Sequence, residues 1–221
     1  KQYDKDLDGW GCGGVKPASN VYLLGLIQSF ISQLSDRTHI LGVSGFKAVP
    51  FIYYIANLYK SKRTTFDSSS YSKFSINRVY LSDKLRIQNM SFGDVNPTVL
   101  EELPCDCVVC QKLGQDFLQS IKNQPNPPLD KTQICVFLTL HNLQVYTRYC
   151  EYVRKLSTDP KRLIEFVRYQ FGSDMQKVFD FIDMCYDKGL EKGYRNYRNE
   201  FLKFEQQANA VNSKQSSIFG F

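Results

Sequence analysis

From Val21 to Leu34 the apolar residues Leu23, Leu24, Ile27, Phe30, Ile31 and Leu34 recur at three- and four-residue intervals, the spacing of one helix face. Ser19 or Asn20 stands where a cap belongs. Thr38 to Val43 is a short apolar run ending on Ser44 and Gly45, which predicts a buried strand. A second apolar helix is predicted from Phe46 or Val49 to Tyr59, and Arg63 to Asp67 reads as another short strand closing on Ser68, Ser69 and Ser70. Upstream, four glycines between Gly9 and Gly14 mark a strand end where the backbone passes close to something. Strand, helix, strand, helix, strand is the βαβαβ order of a parallel sheet, open or barrel-shaped. In a barrel the working residues sit where strands end, so Gly13, Gly14, the Gly42 to Gly45 stretch and Asp67 are expected on one rim.

After Asp67 the pattern changes. Ile76 to Tyr80 and Lys84 to Ile87 read as short strands of a meander, Met90 to Pro97 as a loop, and Gln111 to Ile121 as a helix before the turn residues Pro125, Pro127 and Pro128. From Ile134 the chain is predicted helical, with Leu140, Leu143, Tyr146, Cys150, Val153 and Leu156 on one face. Asp159 with Pro160 starts another helix, and Ser173 a third that ends near Gly189. The polar tail from Gln206 to Phe221 is expected to fray. The divisions expected are residues 1–75, 76–157 and 158–221, as barrel units, zinc-binding subdomain with its following helix, and carboxy-terminal helical segment.

A chain of 221 residues with 43% hydrophobic and 14% aromatic content can bury a core. It contains no apolar run of about 18 residues and no basic-then-apolar leader, so a soluble, cytoplasmic protein without membrane contact is expected. It starts at Lys1 rather than Met, which fits a piece of a longer polypeptide. The formal charge of +6, with basic clusters at Lys60, Lys62 and Arg63, at Arg148, Arg154 and Lys155, and at Arg195 and Arg198, fits either a phosphate-bearing partner or a solvated basic surface.

The seven cysteines are an odd number, and Cys105 and Cys107 are one residue apart. That argues against a disulfide framework and for metal-bound thiolates. Cys105, Cys107 and Cys110 lie in one tight, exposed, polar loop begun by Pro104, and His141 follows later at the head of a helix. Three thiolates and one imidazole complete a zinc tetrahedron with no position left for water, the signature of a structural site. Cys12, Cys135, Cys150 and Cys185 stand alone in apolar or helical surroundings and read as small buried hydrophobes. The other histidine, His39, lies inside an apolar strand and reads as a satisfied core residue.

The glycine pair Gly13-Gly14, HILGVSG at 39–45, FDSSSYS at 66–72, LPCDCVVC at 103–110 and LHNLQVY at 140–146 together resemble the last part of tRNA-guanine transglycosylases. The resemblance covers about residues 9 to 156, and its zinc and histidine motifs are the most specific portion. It implies an α/β fold, the carboxy-terminal portion of a (β/α)8 barrel with a zinc-binding insertion after the last strand. It also implies exchange of a guanine in a polynucleotide, tRNA or DNA, for a 7-deazaguanine such as preQ0. By position Asp67 matches the family's nucleophile, whereas alone it reads as a cap or turn residue. Gly13 and Gly14 match the segment that lets main chain approach the bound base, or else form a tight turn, and Gly42 to Gly45 would line the same pocket.

A full barrel of this class needs about 250 residues, and only about three βα units precede the zinc region, so the rest must come from a preceding half or a second chain. The family's other catalytic aspartate goes with that half. Ser69, Ser70 and Tyr71 look like the archaeal branch, but no archaeal RNA-binding domain is recognisable after Phe201, which favours the DNA-modifying branch slightly. An accessory subunit that keeps the fold and zinc but lacks chemistry is the alternative, and a non-catalytic zinc-stabilised nucleic-acid binder the third.

Overall fold

The structure, a computed structural model, describes residues 9–12, 20–34, 37–42, 46–61, 63–67, 69–77, 79–81, 87–89, 105–113 and 131–197. Gly13, Gly14, Gly45, the loop at 90–97, the prolines at 125–128 and the tail from 206 lie outside the described residues. The chain divides into two compact units, one of Lys1–Ser68 with Tyr152–Phe221 and one of Ser69–Glu151.

In the first unit, β1 (Trp10–Cys12), β2 (Arg37–Ile40) and β3 (Arg63–Phe66) form a parallel sheet in the order β1-β2-β3. Cys12 pairs with Ile40 and Ile40 with Phe66, so the carboxy-terminal ends of the strands are aligned. Helices α1 (Asn20–Leu34) and α2 (Ala48–Leu58) make the two crossovers. Among the described residues the sheet is open, with three strands, as in an incomplete barrel. Parallel strands require crossovers, and the apolar spacing along α1 and α2 supplies them.

Side chains alternate across a strand. Cys12 and Ile40 are buried, and Phe66 meets the Tyr53 ring edge-on at 5.8 Å, so this face carries the helices. Helix α2 is buried along most of its length, from Ala48, Val49 and Pro50 through Ile55 and Ala56. Its Phe51 and Tyr54 both pack on Phe179, with ring centroids 4.9 Å apart. Phe179 belongs to α7 (Gln176–Lys188), which α1 also meets through Gln28, whose amide donates to the Ile182 carbonyl at 2.7 Å.

Helix α6 (Pro160–Phe171) starts as the sequence predicts, because the Asp159 carboxylate accepts from the backbone of Lys161 and Arg162 and Pro160 fills the first turn. It ends at Gly172, with φ +106, and α7, preceded by the 3-10 turn Ser173–Met175, ends at Gly189, with φ +86. A further helical stretch, 190–197, lies so close to its neighbours that a β-carbon on Gly193 would collide with the Cys185 sulfur.

In the second unit, α3 (Ser70–Ile76) precedes an antiparallel pair, β4 (Val79–Leu81) and β5 (Ile87–Asn89). The strand expected from Ile76 therefore starts three residues later. The serine-rich segment before it is helical, with the Ser75 hydroxyl donating to the Tyr71 carbonyl one turn back at 2.7 Å. Helix α4 (Val108–Leu113) starts ahead of the expected Gln111, which places Cys110 inside it.

Helix α5 (Lys131–Leu156) corrects the sequence reading twice. His141 stands well inside the helix rather than at its head. The buried face runs through Ile134, Leu138, His141, Asn142, Val145, Tyr146, Tyr149, Val153 and Leu156, so the expected Tyr146, Val153 and Leu156 are buried, whereas the expected Leu140 and Leu143 are 50% and 39% exposed. Two polar residues belong to the buried stripe, so counting apolar residues alone rotates the predicted face. No helix among the described residues is long and apolar enough to cross a membrane.

Candidate metal centre and strand-end site

Cys105, Cys107, Cys110 and His141 come together in the second unit, each no more than 3% exposed. The thiols are thus buried, not displayed on an exposed loop. Their ligand atoms all lie within 4.8 Å of one another. A tetrahedral zinc with Zn–S near 2.3 Å and Zn–N near 2.0 to 2.1 Å places neighbouring ligand atoms roughly 3.5 to 3.8 Å apart, which this spacing accommodates. The chemistry of the donors fits as well. Three sulfurs and an imidazole fill the coordination sphere, so this is a structural zinc site with no open position for a substrate.

Local backbone geometry gathers the sulfurs. The Cys107 N–H points at the Cys105 sulfur at 3.4 Å, and the Cys110 N–H at the Cys107 sulfur at 3.3 Å as α4 begins. The imidazole is fixed from outside. His141 Nε2 donates to the Leu81 carbonyl at 2.7 Å, which leaves the Nδ1 lone pair facing Cys107 and Cys110 at 3.2 and 3.3 Å. The Tyr80 ring stacks on His141 with centroids 4.0 Å apart, and its hydroxyl lies 3.5 Å from the Cys110 sulfur.

Next to His141, Asn142 ties the helix to β4 and α3. Its Oδ1 accepts from Leu81 N–H at 3.0 Å, and its Nδ2 donates to the Val79 carbonyl at 2.9 Å and the Ser75 hydroxyl at 3.1 Å. At the rim of the site the Arg148 guanidinium pairs with Asp106, between two of the cysteines.

The three thiols are shifted in different directions by one another and by burial. Cys105 is held down, to about 4, by its hydrogen bond with the Cys110 thiol and by His141. That same hydrogen bond, together with burial, pushes Cys110 up, and burial pushes Cys107 up. A divalent ion bound here would stabilise all three sulfurs as thiolates together. Of the isolated cysteines, Cys12 and Cys185 are buried as expected, while Cys135 and Cys150 are only partly so.

In the first unit a second group of polar side chains sits at the strand ends. Asp67 directly follows β3, and its Oδ1 accepts the Gly42 N–H at 2.5 Å. Gly42 has φ +73, the left-handed region that glycine enters without cost, and this turns its N–H toward the carboxylate. The ladder continues alongside, with Leu41 N–H donating to the Cys12 carbonyl at 2.8 Å and Asp67 N–H to the Ile40 carbonyl at 3.3 Å.

His39 differs from the sequence expectation of a core residue. Its neighbours in the strand, Thr38 and Ile40, are buried, so alternation turns His39 to the opposite face, where its side chain is 41% exposed. There its Nδ1 lies 2.8 Å from the hydroxyl of Thr65, its register partner on β3, and its Nε2 lies 4.0 Å from Asp67 Oδ1. The apolar run masked this alternation. Neither the supporting roles of Tyr80 and Asn142 nor that of His39 is readable from motif spacing, although a polar pair inside an apolar helix stripe is a usable signal for Asn142.

The chain matches no protein-family model, no curated protein and no solved structure.

Proposed function

We propose that this chain is the strand-end and zinc-bearing part of a transglycosylase that exchanges guanine for a 7-deazaguanine in a polynucleotide, with Asp67 as nucleophile. The observation that carries the reading is the placement of Asp67: it follows the last strand of a parallel βαβαβ sheet, its side chain is 55% exposed, and a backbone N–H holds one of its oxygens. In barrels of parallel strands this end supplies the reacting groups. The motif resemblance and the Cys3His zinc site support the same reading.

The chemistry needs a carboxylate. Asp67 Oδ2 attacks the anomeric carbon while the bond to the guanine nitrogen breaks, its electron pair leaving with the base. The incoming base then forms the new carbon–nitrogen bond, the ester bond breaks, and the carboxylate is regenerated. The incoming base loses one proton and the departing base gains one, so the exchange is balanced without redox or nucleotide hydrolysis. The target base must leave its stack, and Lys and Arg side chains would hold the flanking phosphates. The zinc ion holds its subdomain together and takes no part in bond making.

The test is incubation of the full-length protein with labelled guanine or preQ0 and either tRNA or duplex DNA. Wild type exchanges label, and Asp67→Ala lowers exchange by at least about a thousandfold with unchanged zinc content. Equal exchange by wild type and Asp67→Ala sinks the reading. A second reading, an accessory subunit without chemistry, draws on the openness of the three-stranded sheet. Light scattering separates the two: an accessory subunit gains mass with its partner and exchanges nothing alone.

A further inference from the structure

We infer that His39 is a positioning residue for the Asp67 carboxylate, held in its orientation by Thr65. The inference rests on the assignment of Asp67 as nucleophile.

An exposed carboxylate at a strand end turns freely about two side-chain bonds unless something fixes it. The Gly42 N–H, at 2.5 Å from Oδ1, is one anchor. One hydrogen bond fixes an atom but leaves rotation about it. The His39 ring edge stands on the same oxygen, with Nε2 at 4.0 Å, and is the second anchor. That separation exceeds a hydrogen bond, but contacts between catalytic groups are often long before substrate binds and tighten in the complex.

The ring itself is aimed. The strand register sets His39 opposite Thr65, whose hydroxyl lies 2.8 Å from Nδ1. A hydroxyl that donates to Nδ1 leaves the proton of a neutral imidazole on Nε2, facing the carboxylate. On this face Asp67 is two residues beyond Thr65, and Gly11, the partner of His39 on β1, adds no side chain that would crowd the ring. Gly42 donates to Oδ1 and His39 faces it, and among the described residues nothing engages Oδ2. That is the arrangement a nucleophile requires: one oxygen restrained, the other presented to carbon.

The test compares His39→Ala, His39→Gln and Asp67→Ala in the full-length protein, following exchange of labelled guanine. His39→Ala is expected to lower kcat about 10- to 100-fold with KM changed less than about twofold, because a misaimed nucleophile affects the transition state more than binding. His39→Gln, which returns an N–H near the Nε2 position, is expected to recover most of the loss. Unchanged kcat in His39→Ala, or a His39→Gln protein as impaired as His39→Ala, overturns the inference.

A second readout needs no activity. The chain has only two histidines, so ring-nitrogen spectra of histidine-labelled protein report His39 and the zinc-bound His141 separately. Asp67→Asn is expected to move the His39 resonances and leave those of His141 in place. Unmoved His39 resonances defeat the inference even if His39→Ala does not fold. If Asp67→Ala is silent while His39→Ala matches wild type, only this inference falls. If Asp67→Ala exchanges normally, or wild type does not exchange, the nucleophile assignment falls.

Discussion

The two histidines of the chain occupy two kinds of environment. His141 is 1% exposed, both ring nitrogens are engaged, and a tyrosine stacks on it. His39 has a side chain 41% exposed, one nitrogen on a threonine, and the other facing a carboxylate at 4.0 Å. A buried imidazole among three sulfurs has a single task, to complete a metal's coordination sphere, and every surrounding contact enforces it. A half-exposed imidazole beside an acid at the strand ends remains open to a partner from outside. The first arrangement stabilises its unit, and the second costs little stability to keep or to lose.

The largest effect is expected at the metal. Cys107→Ser should release the zinc and cost on the order of 5 kcal/mol or more, since structural zinc supplies much of the folding free energy of small metal domains. Metal analysis and thermal melting of the same sample check it, and metal loss with an unchanged melting temperature breaks the comparison. Acid should act in the same direction: protons compete with zinc for the thiolates and the imidazole, so metal is retained at neutral pH and released as pH falls.

Asn142→Ala comes next. It strands the Leu81 N–H and the Val79 carbonyl in a buried place and removes a donor from the Ser75 hydroxyl, at about 2 to 4 kcal/mol. Because β4 also carries the carbonyl that orients His141, zinc affinity should fall about 10- to 100-fold. Competition with a chelator measures the affinity and denaturant melting the stability. An unaffected affinity would separate Asn142 from the metal site.

The same contrast explains what was legible in the sequence. The βαβαβ order, the capped start of α6 at Asp159 and the end of α7 at Gly189 follow from local rules of periodicity and capping, so they were readable. The zinc ligands were readable because cysteine spacing and the scarcity of histidine leave few alternatives. The buried face of α5 was readable only in part: Tyr146, Val153 and Leu156 belong to it, but His141 and Asn142 lie in a stripe that a hydrophobic count leaves out. Helix α3 was obscured by serines, which favour caps and turns on their own; in the fold Ser75 is engaged by the distant Asn142 side chain. His39 reads as core in the sequence because an apolar run hides which of its residues alternates outward, and the burial of Thr38 and Ile40 on either side shows it.

Smaller effects sharpen the comparison. Tyr80→Phe removes the hydroxyl at the Cys110 sulfur but keeps the ring on His141, so about 1 kcal/mol of stability and no zinc should be lost. Loss of zinc from this variant would give the hydroxyl a larger role than the ring. At the other region, Asp67→Asn should change stability by less than about 0.5 kcal/mol and leave the metal in place, as expected of an exposed side chain outside the core. A large drop in melting temperature would make the carboxylate a structural group and weaken its assignment as nucleophile.

The most direct test of the metal site is X-ray absorption at the zinc edge of the full-length protein, with metal content measured on the same sample. The expected result is about one zinc per chain, bound by three sulfurs near 2.3 Å and one nitrogen near 2.0 to 2.1 Å. A protein that folds without zinc, or a zinc shell that includes oxygen or lacks the imidazole, would contradict it.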